Sequence, residues 1–371
     1  MTDALATPGQ SPMAVVIAPD SFKGSASAPE VAAALAEGWR AVRPADILRL
    51  FPMADGGEGT LDAFEMAVPG SRRMPVTVSG PDSRPASTFW LLLPDGTGVV
   101  ELASTSGITM LDSLAPLDTH TLGFGEAIAA ALDHGVIRLL LAIGGSASTD
   151  GGVGALMALG GVFLDASGAQ IDAGNRGLDA LVLVDLTALR GLPDGGAIIL
   201  SDVTNPLLGK HGAAAIFGPQ KGANQSDIER LEVGLVRLAR LVSTDPNTPG
   251  AGAAGGTGFG LLAWGARLAP GSAAVSEALG LPEAVAAASV AITGEGRFDA
   301  QSANGKVPSF LLELATSVGT RTMLVAGLIE AEPAGFSAAE SLSVLAGSTQ
   351  AAMADPLRWL TVAGAKLASA V

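Results

Sequence analysis

The 371-residue sequence contains no cysteine and no tyrosine, and it has only three histidines. The absence of cysteine excludes disulfides, thiolate zinc sites and thiol nucleophiles. The histidines (His120, His134 and His211) lie far apart and form no HExxH pattern. Acid–base chemistry is therefore expected to fall on carboxylates, lysine, hydroxyl groups or one isolated histidine.

Long apolar runs and an excess of positive charge are also missing. No uninterrupted stretch approaches the ~18 apolar residues that a membrane span needs. The first residues, MTDALATPGQSPM, lack the basic and apolar regions of a signal peptide. A net charge of −15 with 4% aromatic residues argues against nucleic-acid binding. We therefore expect a cytoplasmic protein without membrane or nucleic-acid partners, and the sequence indicates no oligomeric state.

Both ends of the chain alternate between strand and helix patterns. Strands are predicted at 14–18, 47–51, 290–293, 322–326 and 341–345, and helices at 31–39, from about Thr60, and at 308–317. Between them, residues 74–93 alternate like antiparallel strands, followed by predicted helices at 123–134, 155–159 and 227–243 and a strand at 139–143. The pattern predicts an α/β protein with a parallel-sheet domain (13–68 and 286–371), an inserted mixed α/β domain (69–285) and a disordered tail (1–12).

Three common fingerprints fail on inspection. Gly305-Lys306 is followed by Val307, and position 300 is Ala, so there is no Walker A loop. The GxGxxG match that ends at Gly255 follows STDPNTP rather than a strand, which argues against a nicotinamide site. The GGSAS segment has Ser148 where a nucleophile elbow needs glycine, which argues against a hydrolase.

Five polar loops remain, and most of them follow predicted strands. They are PDSFKGS, MADGGEGT, GGSASTDGG, SDVTNPL and TGEGRFDAQSANGK. Each loop alone could be an ordinary turn with a capping acid. Ligands of open α/β sheets bind at the carboxyl ends of strands, so five such loops together favour a binding site.

Lysine is scarce, with five in the chain, and Lys23, Lys221 and Lys306 stand in loops rich in Gly, Asp or Ser. Any one of them could simply occupy a solvated loop. In a chain of this negative charge, the three together indicate anion handling, because an ammonium beside glycine-rich amides is a common phosphate site.

Long blocks of the sequence resemble the type I bacterial glycerate kinases. These blocks, in that family's order, are APDSFKGSASAPEVAAALAEGW, ADGGEGT, IGGSASTDGGVGALMALGG, DVTNPLLGKHGAAAIFGPQKGA, PGAGAAGGTGFG and ITGEGRFDAQSANGKVP. The resemblance implies MgATP-dependent phosphorylation of D-glycerate to 2-phosphoglycerate. It also implies a Rossmann/flavodoxin-like domain and a second α/β domain with the active site in the cleft between them. Two departures are Ser148, where the family often has Asn, and a shorter segment after Leu328.

Phosphoryl transfer gives these residues hypothetical roles. We expect Asp202 to orient or deprotonate the glycerate hydroxyl, with Asp20 or Asp150 as alternatives, and Lys306 to face phosphate. Glycerate would contact Ser21, Lys23, Asp55 and Arg297, its carboxylate meeting Lys23 or Arg297. Nucleotide phosphates would contact Gly144, Gly145, Ser146, Ser148, Gly255, Gly256 and Glu295, and Mg²⁺ would contact Asp150 and Asp299.

Two other functions remain open on the residues alone. A non-catalytic sugar-acid binding protein would bind glycerate without consuming ATP. A kinase for another small hydroxy acid would be separated from a glycerate kinase only by a substrate panel.

The two lysine loops predict different kinetic defects. Lys306→Ala should lower kcat more than it raises the glycerate KM, because phosphate contacts strengthen as charge shifts in the transition state. Lys23→Ala should mainly raise the glycerate KM, by roughly 10- to 150-fold for one charge-assisted hydrogen bond. Steady-state kinetics separates the two effects, and wild-type behaviour of both variants would make the loops mere turns.

Overall fold

A computed structural model of the chain describes residues 11–22, 24–299 and 307–371, which form an α/β fold. The strands are β1 (Ala14–Ile17), β2 (Ile47–Leu50), β3 (Arg72–Ser79), β4 (Pro85–Leu92), β5 (Thr97–Glu101), β6 (Arg138–Ala142), β7 (Val162–Leu164), β8 (Leu183–Asp185), β9 (Ala197–Leu200), β10 (Arg267–Ala269), β11 (Val290–Phe298), β12 (Arg321–Ile329) and β13 (Ala338–Ser341).

The α-helices are α1 (Ala28–Val42), α2 (Thr60–Ala67), α3 (Ala103–Ser106), α4 (Leu122–His134), α5 (Val153–Ala158), α6 (Ala213–Phe217), α7 (Gln225–Leu241), α8 (Ala253–Ala263), α9 (Gly271–Leu279), α10 (Leu281–Ala286), α11 (Val307–Val318), α12 (Leu342–Ala346), α13 (Thr349–Ala354) and α14 (Pro356–Ala368). Short 3₁₀ turns lie at Ile108–Met110, Asn175–Ala180 and Pro219–Lys221. No helix among the described residues is both long enough and apolar enough to cross a membrane.

The chain divides into two compact units, one running from Ala54 to Val275 and the other made of the two chain ends. Both divisions fall earlier in the chain than the boundaries expected after residues 68 and 285. Residues 54–68, expected in the terminal domain, fall in the inserted unit instead. They include α2, which packs on β4 and β5. The amide of Leu61 in α2 also donates to Glu101 Oε2 at 3.2 Å, so this helix belongs with the inserted unit.

The terminal unit is built on a five-stranded parallel sheet in the order β13-β12-β11-β1-β2. Counted along the chain within this unit, the strand order is 2-1-3-4-5, which is the flavodoxin-like doubly wound arrangement. The sequence-based prediction of an α/β fold with a Rossmann/flavodoxin-like parallel sheet is confirmed. In this arrangement the strand order reverses between β1 and β11, which is where such folds bind ligands.

Local sequence signals explain the first strand–helix pair of this unit. Residues 14–17 are all apolar, and all but Ala14 are fully buried, as expected for a central parallel strand. Ser27 and Glu30 form a capping box in which Glu30 accepts from Ser27 N at 2.9 Å, and proline stands in the first turn. The helix then buries Leu35 and Trp39 completely in the core.

The inserted unit contains a six-stranded mixed sheet in the order β10-β9-β6-β5-β4-β3. Neighbours from β10 to β5 are parallel, whereas β4 is antiparallel to both β5 and β3. The hairpin β3–β4 corresponds to the alternating pattern predicted for 74–93. A separate two-stranded ribbon joins β7 and β8.

The strand predicted at 341–345 is wrong for most of its length. Strand β13 ends at Ser341, and residues 342–346 form α12. A short apolar run has the same composition in a buried strand and in a buried helical turn, so periodicity could not separate the two.

Candidate active site

In the terminal unit, the loop after β1 lies beside β11 at the reversal of strand order. The Asp20 amide donates to Gly294 O at 2.8 Å, and Asp20 Oδ1 accepts from Ser21 N at 2.6 Å. Glu295, the residue after Gly294, is buried within β11. The loop with Asp20 and Ser21 is therefore fixed beside the β11 residue that precedes Glu295, and the ligand contacts of all three residues stay predictions.

Arg297 and Asp299 lie at the end of β11. Arg297 forms ion pairs with Asp299 and with Glu330, the residue after β12. Arg297 Nε donates to Glu330 Oε2 at 2.8 Å and lies 3.7 Å from Asp299 Oδ2. Binding of the glycerate carboxylate by Arg297 stays a prediction. It would require the guanidinium to contact glycerate and Glu330 at the same time. Lys23 and Lys306 lie outside the described residues.

In the inserted unit, Asp202 follows β9 and contacts the start of α9. Its carboxylate accepts from Gly271 N at 2.8 Å and from Ser272 Oγ at 3.1 Å. More than a third of the residue is exposed, but loss of water around the carboxylate raises its pKa. The bonds from Ser272 and Gly271 oppose that increase, and the negative charge of Asp55 adds to it. Asp202 and Asp55 therefore form a neighbouring pair of carboxylates, with the proton affinity of Asp202 increased.

The glycine loop (residues 144–152) follows β6 and is packed tightly against neighbouring backbone. Gly144 N donates to Gly56 O at 2.9 Å, and a Cβ at Gly144 would lie 2.5 Å from the Cα of Gly57. The Gly144 amide was predicted to face phosphate; instead it is bonded within the protein. Gly145 has φ 76° and, like Ser146, its amide donates no hydrogen bond to any residue in the described ranges.

Asp150, at the far end of the glycine loop, is completely buried and serves as a structural acceptor. Its Oδ2 accepts from the amide and hydroxyl of Thr121, at 2.9 and 2.8 Å, and from Gly154 N at 3.2 Å. Its Oδ1 accepts from Gly152 N at 3.1 Å. Both oxygens are thus occupied by donors of the protein, and this geometry does not favour the metal ligation predicted for Asp150. Outside the two gaps and the first ten residues, no cluster of three metal-ligating side chains is present.

Gly255 and Gly256 pack against the glycine loop through left-handed backbone. Gly255 has φ 67°, and a Cβ there would lie 2.0 Å from Ser148 O and 2.9 Å from Lys221 Nζ. The Gly255 carbonyl accepts from Gly151 N at 3.1 Å. Only glycine fits this crossing, so the requirement at 255 is one of packing, whereas nucleotide contact stays a prediction.

A cavity of about 440 Å³ lies within the inserted unit, in the size range of small-molecule sites. It is lined by Gly144, Gly145 and Ser146 of the glycine loop, by Lys221, and by apolar side chains that include Val203 and Phe217. Lys221 is 2% exposed, and its Nζ donates to Ser146 Oγ at 2.8 Å and to Ser148 O. Burial lowers the pKa of Lys221 to about 7, against an opposing effect of Asp150.

Lys221 is the functional candidate to which sequence reasoning gave no specific role. The segment FGPQKGA has the composition of an exposed turn, and only the scarcity of lysine singled it out. Its burial depends on the glycine loop, more than 70 residues earlier in the chain.

Acidic and glycine-rich loops at the strand ends of α/β sheets, with a cavity beside one of them, define a class of small-molecule-binding α/β proteins. The sequence profile of the Glycerate kinase family matches residues 15–371. This chain belongs to that family.

Named relatives are similar over most of their length. The glycerate kinase of Bacillus subtilis (strain 168) is 42% identical over 327 residues, covering 85% of each chain. The glycerate 2-kinase of Escherichia coli (strain K12) is 40% identical over 325 residues, again with 85% of each covered. A crystal structure from Salmonella typhimurium LT2, assigned as glycerate kinase 2, superposes with a TM-score of 0.84 at 38% identity and covers 97% of this chain and 98% of that one.

The hydrogen bonds of Asp150 predict a structural defect that does not depend on metal. Asp150→Ala would leave the amides of Thr121, Gly152 and Gly154 buried without their acceptor, costing about 3–5 kcal/mol of unfolding free energy. Asp133→Ala removes an exposed pair with Arg190 and should cost about 0–1 kcal/mol. Urea unfolding with and without Mg²⁺ measures both variants. A loss that Asp150→Ala shows only when Mg²⁺ is present would instead make Asp150 a metal ligand.

Proposed function

We propose that this protein is an ATP-dependent kinase that transfers the γ-phosphoryl group to the 2-hydroxyl of D-glycerate, as a type I member of its family. The observation that carries the proposal is the 42% identity to a named glycerate kinase over 85% of both chains. The 2-position is supported by the Escherichia coli relative, which is named for that product. Because the reaction uses ATP, we propose that it takes place in the cytoplasm.

Asp202 is the carboxylate best suited to the acceptor hydroxyl. In the proposed reaction the hydroxyl oxygen forms the new bond to the γ-phosphorus while the bond to the bridging β-oxygen breaks, releasing ADP. The hydroxyl proton passes to Asp202, whose raised pKa makes it a stronger base than an ordinary aspartate. Hydrogen bonds from Gly271 and Ser272 hold the carboxylate in place, and each oxygen can still accept from a further donor.

Mg²⁺ is part of this proposal through the nucleotide. Magnesium in kinase sites commonly takes one or two carboxylates and completes its shell with phosphate oxygens and water. Asp55 could supply such a carboxylate and leave Asp202 to act as the base, and Asp299, at the end of β11, stays a predicted ligand. When bound, the ion would neutralise phosphate charge in a protein with a net charge of −15.

The proposed reaction predicts ADP release that requires both D-glycerate and a divalent metal. A coupled ADP assay should give turnover with glycerate and Mg²⁺, and excess EDTA should abolish it. Phosphorus NMR should identify 2-phosphoglycerate rather than the 3-isomer. Other small hydroxy acids form the control panel, and a higher kcat/KM with one of them would replace glycerate as substrate. Tight glycerate binding without any ATP consumption would identify a binding protein.

The carboxylate pair predicts a specific pH effect. Asp202→Asn should lower kcat by roughly 10²- to 10⁴-fold, because the amide keeps the side-chain shape but cannot accept the proton. In the wild type, kcat/KM should rise with pH as Asp202 ionises. Asp55→Asn removes the neighbouring negative charge, so the acid limb should move to lower pH. An acid limb unchanged by Asp55→Asn, together with near-normal activity of Asp202→Asn, would exclude Asp202 as the base.

A further inference from the structure

Lys221 is a buried cation with an incomplete set of partners. Its ammonium group has three hydrogens, and the structure accounts for two acceptors, Ser146 Oγ and Ser148 O. No carboxylate among the described residues forms an ion pair with it within 4.0 Å. A buried ammonium is costly unless it is paired, and burial lowers its pKa here for that reason. Asp150 is the charged group that acts on it, and both oxygens of Asp150 are engaged by other donors.

The third partner of Lys221 has a place to bind, because the lysine lies in the wall of the cavity. Ser146, whose hydroxyl accepts from Nζ, lines the same wall, so a ligand that reaches Ser146 lies next to the ammonium group. The amides of Gly145 and Ser146 face no acceptor in the described chain. A left-handed glycine followed by a second unbonded amide is the kind of donor set that binds anions.

The rest of the cavity is apolar enough to strengthen that interaction. Ile108, Val203 and Phe217 line it together with Ala254. Ser201 and Gln220 are the polar side chains beside them. Apolar walls lower the local dielectric constant, and a charge-assisted hydrogen bond is stronger where that constant is low. The volume also exceeds what a single phosphate or carboxylate group fills, so the rest of a ligand has room beside these walls.

We propose that Lys221 and the amides of Gly145 and Ser146 form an anion subsite that binds a phosphate or carboxylate group of a ligand in this cavity. The identity of the ligand rests on the proposed kinase function: the anion is either a phosphate of the nucleotide or the carboxylate of glycerate. The subsite itself does not depend on turnover, because any anion of the right size completes the shell of the ammonium.

Calorimetric titration of the whole protein with ATP, adenosine, D-glycerate and inorganic tripolyphosphate tests the subsite. Lys221→Met keeps the length of the side chain and removes its charge. It should weaken binding of an anionic ligand by roughly 10- to 150-fold, which corresponds to one charge-assisted hydrogen bond, and leave adenosine unaffected. Lys210→Met removes an exposed lysine of the same unit and should leave every affinity unchanged. Circular dichroism checks that each variant is folded.

The titrations also separate the two sources of the anion. Weakening for ATP and tripolyphosphate alone identifies a phosphate, and weakening for glycerate alone identifies the carboxylate. Equal affinities of wild type and Lys221→Met for all three anions would overturn the subsite while leaving the kinase proposal standing. If the wild type binds tripolyphosphate but does not phosphorylate glycerate, and Lys221→Met loses that binding, the subsite is supported and the kinase proposal is rejected.

A second pair of variants keeps Lys221 in place, so the subsite is tested even if Lys221→Met does not fold. Val203→Asp puts a carboxylate into the cavity wall, where it would compete with the ligand for the ammonium group. Val203→Asn is the neutral control of the same size. Val203→Asp should weaken binding of the selected anion at least 10-fold relative to Val203→Asn. Equal anion affinities of these two variants would contradict an anion subsite at Lys221.

Discussion

The buried carboxylate of Asp150 is the interaction on which the candidate site of the inserted unit depends. It accepts from Thr121, before α4, and from Gly152 and Gly154, at the start of α5, and thereby fixes the end of the glycine loop. Thr121 extends this connection because its hydroxyl accepts from Ala155 N at 2.9 Å. A charged acceptor that satisfies several buried amides is stabilising, since each of those amides would otherwise be unpaired. The carbonyl of Ser148, which holds Lys221, lies two residues before this anchor.

Glycine backbone then sets how closely the remaining segments approach the loop. The crossing of Gly144 with Gly57 and that of Gly255 with Ser148 leave no room for a Cβ atom. These contacts bring the 254–256 segment beside the Lys221 ammonium, so the lysine is enclosed by backbone rather than by acidic side chains. Gly255, the last glycine of the segment that resembles a nucleotide fingerprint, therefore lies against a cation of the protein itself.

Local signals predicted much of the fold, because strands and helix starts are encoded within a few residues. The apolar run at 14–17, the Ser27–Glu30 capping box and the alternating residues of β3 and β4 each act at short range. The parallel sheet followed from the repeated strand–helix order. The prediction of a strand at 341–345 was wrong because an apolar run of that length has no clear helical or strand period.

The site was less predictable, since its decisive contacts join residues far apart in the sequence. Aspartate is a common metal ligand, but two of the donors that occupy Asp150 lie 29 residues earlier in the chain, on Thr121. The sequence around Gly144 is typical of a phosphate-binding loop, but the Gly144 amide donates to Gly56 O, nearly 90 residues earlier in the chain.

The burial of Lys221 matters because the protein as a whole is strongly negative. A chain with net charge −15 repels the phosphates and carboxylates that a kinase of this family handles, and an exposed lysine would be screened by water and salt. A lysine enclosed by glycine backbone loses much of that screening, so its protonated form attracts a nearby anion more strongly. The same enclosure raises the cost of the charge when no anion is present, which is visible in its lowered pKa. Affinity for an anion and strain in its absence thus have one physical origin, the exclusion of water around a single ammonium group.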